Sequence, residues 1–451
     1  MDAMAIIGSQ CWCGGTGCLQ HDEAEVGSEI SATCTRGYSE TACASPGGFD
    51  GHSTSSVRHI SLLSLKSNGA NQEKAVMQYI SKFCSIVMAS GTLAIAPIAS
   101  HACTALLYVD ENGLGYKGRT MEYPVKIPMS LTLMPTGTLV QSITPNNTQG
   151  MVFTTKYPIL GVALDLKSSH GNLVFLDGMN DQGLSFSANQ QNQTKSPNIG
   201  TNANETLSIG DLGTWLLGNF KTVQEVKVAI QNASLWLPIS RFYGNVITPL
   251  HFAIWDKSGE GLVLEFIDGK KAIYDNPVGV MTNGPSFSWH LTNLNNYTTN
   301  NINQNFGQFG KLRVQADDPG IALTNLPSAQ TAAGRFVKAA FYVNYVRKTK
   351  TPNEAMKILS QIMNNFDRPY DLTIDIGEGH GDGPFDKGTW SDATQWTALN
   401  DLSQNIFYLR NMNSMNWTKV DFNRIKDLKK LKALSIYELN ETDETVAFLR
   451  D

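Results

Sequence analysis

Cysteine placement constrains this chain more than any other feature. All seven cysteines, Cys11, Cys13, Cys18, Cys34, Cys43, Cys84 and Cys103, fall within the first 103 of its 451 residues. No disulfide can staple the stretch beyond Cys103, so that stretch must fold on a hydrophobic core. At 451 residues and 41% hydrophobic, the whole chain has the material for one large domain or two ordinary ones. A net charge of −5 argues against a dedicated nucleic-acid binder. No apolar run reaches the length that spans a bilayer securely.

The first 102 residues are expected to stay outside the fold. Residues 1–76 are rich in Gly, Ser and Thr and show no sustained helical or strand period, so they read as disordered or as an over-extended reading frame. Their cysteines form no paired Cys-x-x-Cys set and have no His at ligand spacing, so no metal site is expected. At Met77 the pattern changes. Met77–Lys82 ends on a positive charge, Phe83–Ala96 is a compact apolar stretch, Pro97 breaks it, and Ser100 and Ala102 are small residues at −3 and −1 of a cleavage point. Residues 77–102 therefore have the layout of a secretory signal peptide rather than a buried core helix. Cleavage after Ala102 would send residues 103–451 to the periplasm or beyond, with no membrane span left. A lipoprotein signal also cuts before Cys, but it wants Leu near −3, where this chain has Ser100.

Such a cut makes Cys103 the first residue of the mature chain and its only thiol. A free thiol is a liability in an oxidising compartment, which suggests that this one has a use. An α-amino group titrates near about 7.7–8.0 and a Cys thiol near about 8.5. The amine can take the thiol proton and later return it to a leaving amine, so nucleophile and base come from one residue. No His is required. The four beyond Cys103 (His170, His251, His290 and His380) form no Cys/His motif, although a spatially adjacent His remains an alternative base.

Thr104–Asp110 reads as a strand, Asn112-Gly113 as a hairpin turn and Leu114–Tyr123 as the returning strand. With Asn112 and Gly113 as the two central turn residues, Cys103 is expected opposite Glu122, whose carboxylate would face the new ammonium. Simple alternation then puts Arg119 on the other face, unless a bulge intervenes.

Five motifs follow in order: Cys103-Thr104; Gly118-Arg119-Thr120-Met121-Glu122-Tyr123; Asp177-Gly178-Met179-Asn180 with Gly183-Leu184; Met281-Thr282-Asn283-Gly284-Pro285; and Gly334-Arg335-Phe336-Val337. With the tract Asn293–Tyr297, they make the stretch 103–451 resemble the choloylglycine hydrolase family of conjugated bile salt hydrolases and penicillin V acylases. The resemblance implies a four-layer α-β-β-α sandwich and cleavage of a linear amide through Cys103. It implies catalytic roles for Arg119, Glu122, Asn283 and Arg335, with Glu122 standing where the family usually has Asp. It points to Gln190 or Asn189 for the oxyanion hole, to no cofactor, and to a homotetramer. The implied substrates are small N-acyl amides: conjugated bile salts, penicillin V or N-acyl homoserine lactones. The alternative is a lipid-anchored, catalytically impaired binding protein of the same fold, which the Glu122 departure would allow.

Elsewhere the periods predict hairpin strands near 172–178 with 183–189 and 250–256 with 261–267. Helices are predicted near 208–219, 223–232, 335–347 and 352–365, the second with a Thr222…Glu225 capping box. Further strands are predicted near 394–399, 405–410 and 417–421. Strands segregated from helices indicate an α+β layered domain. The glycines at 377, 379, 381 and 383 lack a phosphate-loop ending and sit among carboxylates, so they read as a flexible loop. The Lys426–Lys432 run reads as a solvated face.

Overall fold

The computed structural model describes residues 102–450 apart from 165–171, 201, 241–245, 300, 301, 303–305, 318 and 379–386. The chain divides into Met1–Ser90 and Gly91–Asp451, and every described residue belongs to the second unit. The expected extension and all of the expected signal segment but Ala102 lie outside the described residues. So do His170, His380 and most of the glycine-rich loop.

Two antiparallel sheets carry the architecture. The first runs, edge to edge, Val280–Met281, Cys103–Val109, Gly115–Tyr123, Ala393–Asp401, Ile406–Asn411 and Thr418–Asp421. The second runs Lys270–Asp275, Gly261–Ile267, Leu250–Asp256, Leu184–Gln190, Val174–Asn180, Ile159–Leu164, Met129–Met134 and Lys432–Ser435. The sheets face each other where the Cys103 strand meets Leu184–Gln190. Helices Ala332–Tyr345 and Pro352–Asn364 cover the outer face of the first sheet, and Leu212–Asn219 and Val223–Asn232 cover the second. This is the four-layer α-β-β-α order. Central strands in such an arrangement are buried on both faces, and Gly115–Tyr123 and Leu184–Gln190 have no exposed residue at all.

Capping threonines set where the helices begin. Thr222, Thr331 and Thr351 each accept the backbone N–H three residues on, and Pro352 fills the first turn of its helix. Each such cap is worth about 1 kcal/mol. Thr331 starts its helix at Ala332, three residues before the sequence-based expectation, and so moves Arg335 from the first helical position to the fourth. The helix expected over 208–219 is split: a single 3₁₀ turn at Ile209–Asp211 leads into Leu212–Asn219.

The first hairpin differs from expectation by one residue, and the difference matters. Cys103 pairs with Met121, not Glu122, and Thr104 pairs with Thr120. The cause lies in Asp110, whose Oδ1 accepts the N–H groups of Asn112 (2.8 Å) and Leu114 (2.9 Å). That grip centres the turn on Glu111 and Asn112 and leaves Gly113 as a following left-handed residue, φ +78°. A one-residue slip exchanges the faces. Lys117, Arg119 and Met121 therefore share the face of the Cys103 side chain, and no bulge is needed to bring Arg119 there. Thr120 lies on the opposite face, with Thr104.

Candidate active site

Cys103 opens a central strand and is buried, 3% exposed. In the described chain it is still joined to Ala102, so its nitrogen is an amide. That N–H donates to Asn283 Oδ1 at 2.8 Å. The same oxygen accepts Arg335 Nη2 at 2.8 Å, while Asn283 Nδ2 donates to the Gln190 carbonyl at 2.8 Å. Arg335 Nη1 donates to the Cys103 carbonyl (2.5 Å) and to Thr104 Oγ1 (2.8 Å). Asn283 and Arg335, 52 positions apart, thus hold both backbone polar groups of Cys103.

Beneath the thiol lies Arg119, 1% exposed. Its guanidinium reaches across to the second sheet, donating to the carbonyls of Leu176 and of Ala188 (2.5 Å). It stacks 5.1 Å over the Trp396 ring and touches Met121 Sδ at 3.8 Å, which in turn lies 3.7 Å from Cys103 Sγ. Burial pushes the Cys103 thiol up. The charges of Arg119 and Arg335 and the backbone N–H of Glu122 oppose this, and the Glu122 charge adds to it.

The Glu122 side chain does not sit across from Cys103. It is fully buried and accepts Thr394 Oγ1 at 3.0 Å, and its Oε2 has no hydrogen-bond partner. Burial raises its carboxyl to about 7, against the pull of Arg335, of hydroxyl donors on Thr120 and Thr394, and of Arg368. The strand pairing shifts register between Met121 and Glu122, which lets the longer Glu arm occupy this site. Close by, Ala102 N–H donates to Asp392 Oδ2 at 3.0 Å, and Arg368 lies 3.6 Å from that oxygen.

Neither expected oxyanion donor faces the thiol unengaged. Asn189 gives its Nδ2 to the Thr282 carbonyl (2.9 Å), and its buried Oδ1 has no partner. Gln190 gives its Nε2 to Asn192 Oδ1 (2.8 Å). The two described histidines beyond Cys103 are spent on the loop that carries Asn283. His251 Nε2 sits 3.0 Å from the Thr282 carbonyl and its Nδ1 3.1 Å from Glu265; His290 Nε2 sits 2.9 Å from the Asn283 carbonyl. Burial lowers His290 to about 4, so it is neutral at ordinary pH. Glu265 completes the clamp by accepting the Phe287 N–H (2.9 Å) and Gln191 Nε2 (2.6 Å).

Sequence reasoning missed Lys117, Asp392, Thr394, Arg368 and the His251–Glu265 pair. Lys117 directly precedes the Gly118–Tyr123 motif and Asp177 opens the Asp177–Asn180 motif, but only the sheet packing brings the two together. Among the described residues, no group of three or more His, Cys, Asp or Glu side chains converges as a metal site. No described helix is long and apolar enough to cross a membrane.

Two face-packed sheets between helical layers, with a thiol at the head of a central strand, make up the architecture of N-terminal-nucleophile amide hydrolases. Known proteins agree. The sequence model for linear amide C–N hydrolases, choloylglycine hydrolase family, matches residues 103–435. A bile salt hydrolase/transferase of Clostridium perfringens is 30% identical over 349 residues, covering 75% of this chain and all of the relative. A penicillin V acylase of Pectobacterium atrosepticum is 27% identical over 279 residues, 60% of this chain and 66% of the relative. Among solved structures, a conjugated bile acid hydrolase variant from Clostridium perfringens superposes with a TM-score of 0.61 at 27% identity, covering 75% of this chain and 98% of that one. A penicillin V acylase from Agrobacterium tumefaciens gives 0.57 at 25% identity, covering 76% and 96%. The chain belongs to the choloylglycine hydrolase family of linear amide C–N hydrolases.

Proposed function

We propose that the protein is an exported cysteine amidohydrolase, active once residues 1–102 are removed, that cleaves N-acyl amides through a thioester on Cys103. The observation that carries this reading is the grip of Asn283 on the Cys103 nitrogen beside a buried, arginine-flanked thiol. An amide nitrogen has no basic lone pair. Cleavage after Ala102 would replace it with an α-amine, still held by Asn283 and now able to accept the thiol proton.

The chemistry follows. The amine takes the Sγ proton, and the thiolate, favoured by the Arg119 and Arg335 charges, attacks the acyl carbonyl. Of the two side-chain amides at the end of the 184–190 strand, we assign the oxyanion to Gln190. Its donor rests on another side chain, Asn192, whereas that of Asn189 rests on a buried backbone carbonyl. Collapse expels the amine, which receives the proton from the Cys103 ammonium. Water, activated by the same amine, then splits the thioester.

Conjugated bile salts, penicillin V and N-acyl homoserine lactones share this reacting bond, and the family's named relatives support the first two. Export to the periplasm or beyond, which would favour the acylase side, and assembly as a homotetramer belong to the same proposal. A panel of these amides, scored for released amine with the processed protein and its Cys103→Ala variant, tests it. Turnover is expected from the first and a loss of at least about 10³-fold in the second. A trapped intermediate should add one acyl mass to the Cys103 peptide. Full activity in Cys103→Ala, or a diacylglyceryl group on Cys103, would refute the reading.

A further inference from the structure

Next to Arg119 the first sheet buries a second cation that the chemistry above does not use. Lys117 is fully buried between the sheets, and its ammonium donates to Asp177 Oδ1 on the facing strand. That oxygen also accepts Ser187 Oγ at 2.7 Å and lies 3.6 Å from Arg119 Nη1. Asp177 is itself fully buried, and its Oδ2 has no hydrogen-bond partner. Lys117, Arg119, Met121 and Cys103 share one face of the hairpin. One carboxylate is therefore shared by two cations, and only one of them, Arg119, leads through Met121 to the thiol.

We propose that Lys117 is a positioning residue: by taking up the Asp177 carboxylate it leaves the Arg119 charge directed at Cys103. The charge balance carries the argument. With Lys117 present, Lys117, Arg119 and Asp177 sum to one net positive charge beneath the thiol. Without it, Asp177 and Arg119 neutralise each other. An unpartnered buried carboxylate would also draw the guanidinium off the Leu176 and Ala188 carbonyls and away from Met121. Burial lowers Lys117 to about 8 against the opposing pull of Asp177, so the ammonium is present at neutral pH. The inference rests on the reading of Cys103 as nucleophile, but its test does not require turnover.

The experiment measures the pH midpoint of Cys103 alkylation by iodoacetamide in the full chain, followed by peptide mass so that the other thiols do not interfere. Lys117→Met should raise the midpoint by about one unit, which lowers the alkylation rate at neutral pH about tenfold. Lys117→Arg should keep the wild-type midpoint. The doubly substituted Lys117→Met/Asp177→Asn protein, which restores one net positive charge without a buried unpaired carboxylate, should return to it as well. An unchanged midpoint in folded Lys117→Met, or a midpoint in the double variant that stays raised, overturns the proposal. If Lys117→Met alone does not fold, Asp177→Asn, which leaves both cations without the opposing carboxylate, should lower the midpoint, and an unchanged midpoint there overturns the proposal. Amide turnover by the same variants, measured after removal of residues 1–102, separates the two readings. Alkylation that responds as predicted while turnover ignores it would sink the nucleophile assignment and leave the positioning role standing.

Discussion

At the scale of single residues, the site is a set of buried charges whose burial costs are offset only in part. Glu122 shows this most clearly. Its carboxyl titrates near about 7 in the folded, uncut chain, against an ordinary value of 4.5. Between those limits the folded state holds a proton that the unfolded state has lost. Stability therefore falls as pH rises from about 4.5 to about 7, and the penalty is fully present above that. Glu122→Gln removes this component. Urea melts of both proteins should show the Gln variant gaining on the parent by about 3 kcal/mol between pH 4.5 and pH 8. A difference that does not change with pH would contradict the burial of an uncompensated carboxylate. A new ammonium at Cys103 would favour the ionised form, so the effect should shrink in processed protein.

At the scale of elements, the strands and helices were largely legible and the register was not. The Thr222 cap, the 250–256 and 261–267 hairpin and the two long helices follow from periodicity and capping residues, which act locally. Asn112-Gly113 announces a turn, but the choice between two turn geometries rested with the Asp110 carboxylate, and one residue of slip moved Arg119 to the thiol's face. Asn283 and Arg335 carried a signal only through their motifs. Lys117, Asp392 and the histidine clamp carried none, because their partners lie on other strands. Close strand contact has its own sequence mark. Gly161 faces Gly178 across two central strands, and a Cβ on Gly161 would lie 2.2 Å from the Asp177 carbonyl and 2.7 Å from Gly178 Cα. Backbone cannot yield as a side-chain tip can. Gly161→Ala should therefore cost about 1–3 kcal/mol in chemical denaturation, and it should disturb the thiol through Asp177. Unaltered stability would show that the strands are less tightly paired than described.

At the scale of the whole molecule, four layers bring the beginning of the described chain, the Asn283 loop and the Arg335 helix to one point. What stands before Cys103 decides whether its nitrogen can act as a base. While Ala102 is attached, its N–H rests on Asp392 and the Cys103 nitrogen cannot accept a proton. Once it is gone, nucleophile and base are the same residue. The most direct test compares amide turnover by two proteins that differ by one residue, one beginning at Cys103 and one at Ala102. Turnover is expected in the first and a rate lower by about 10²–10⁴-fold in the second, the span that positioned acid–base catalysis contributes. Equal rates in the two proteins would contradict this.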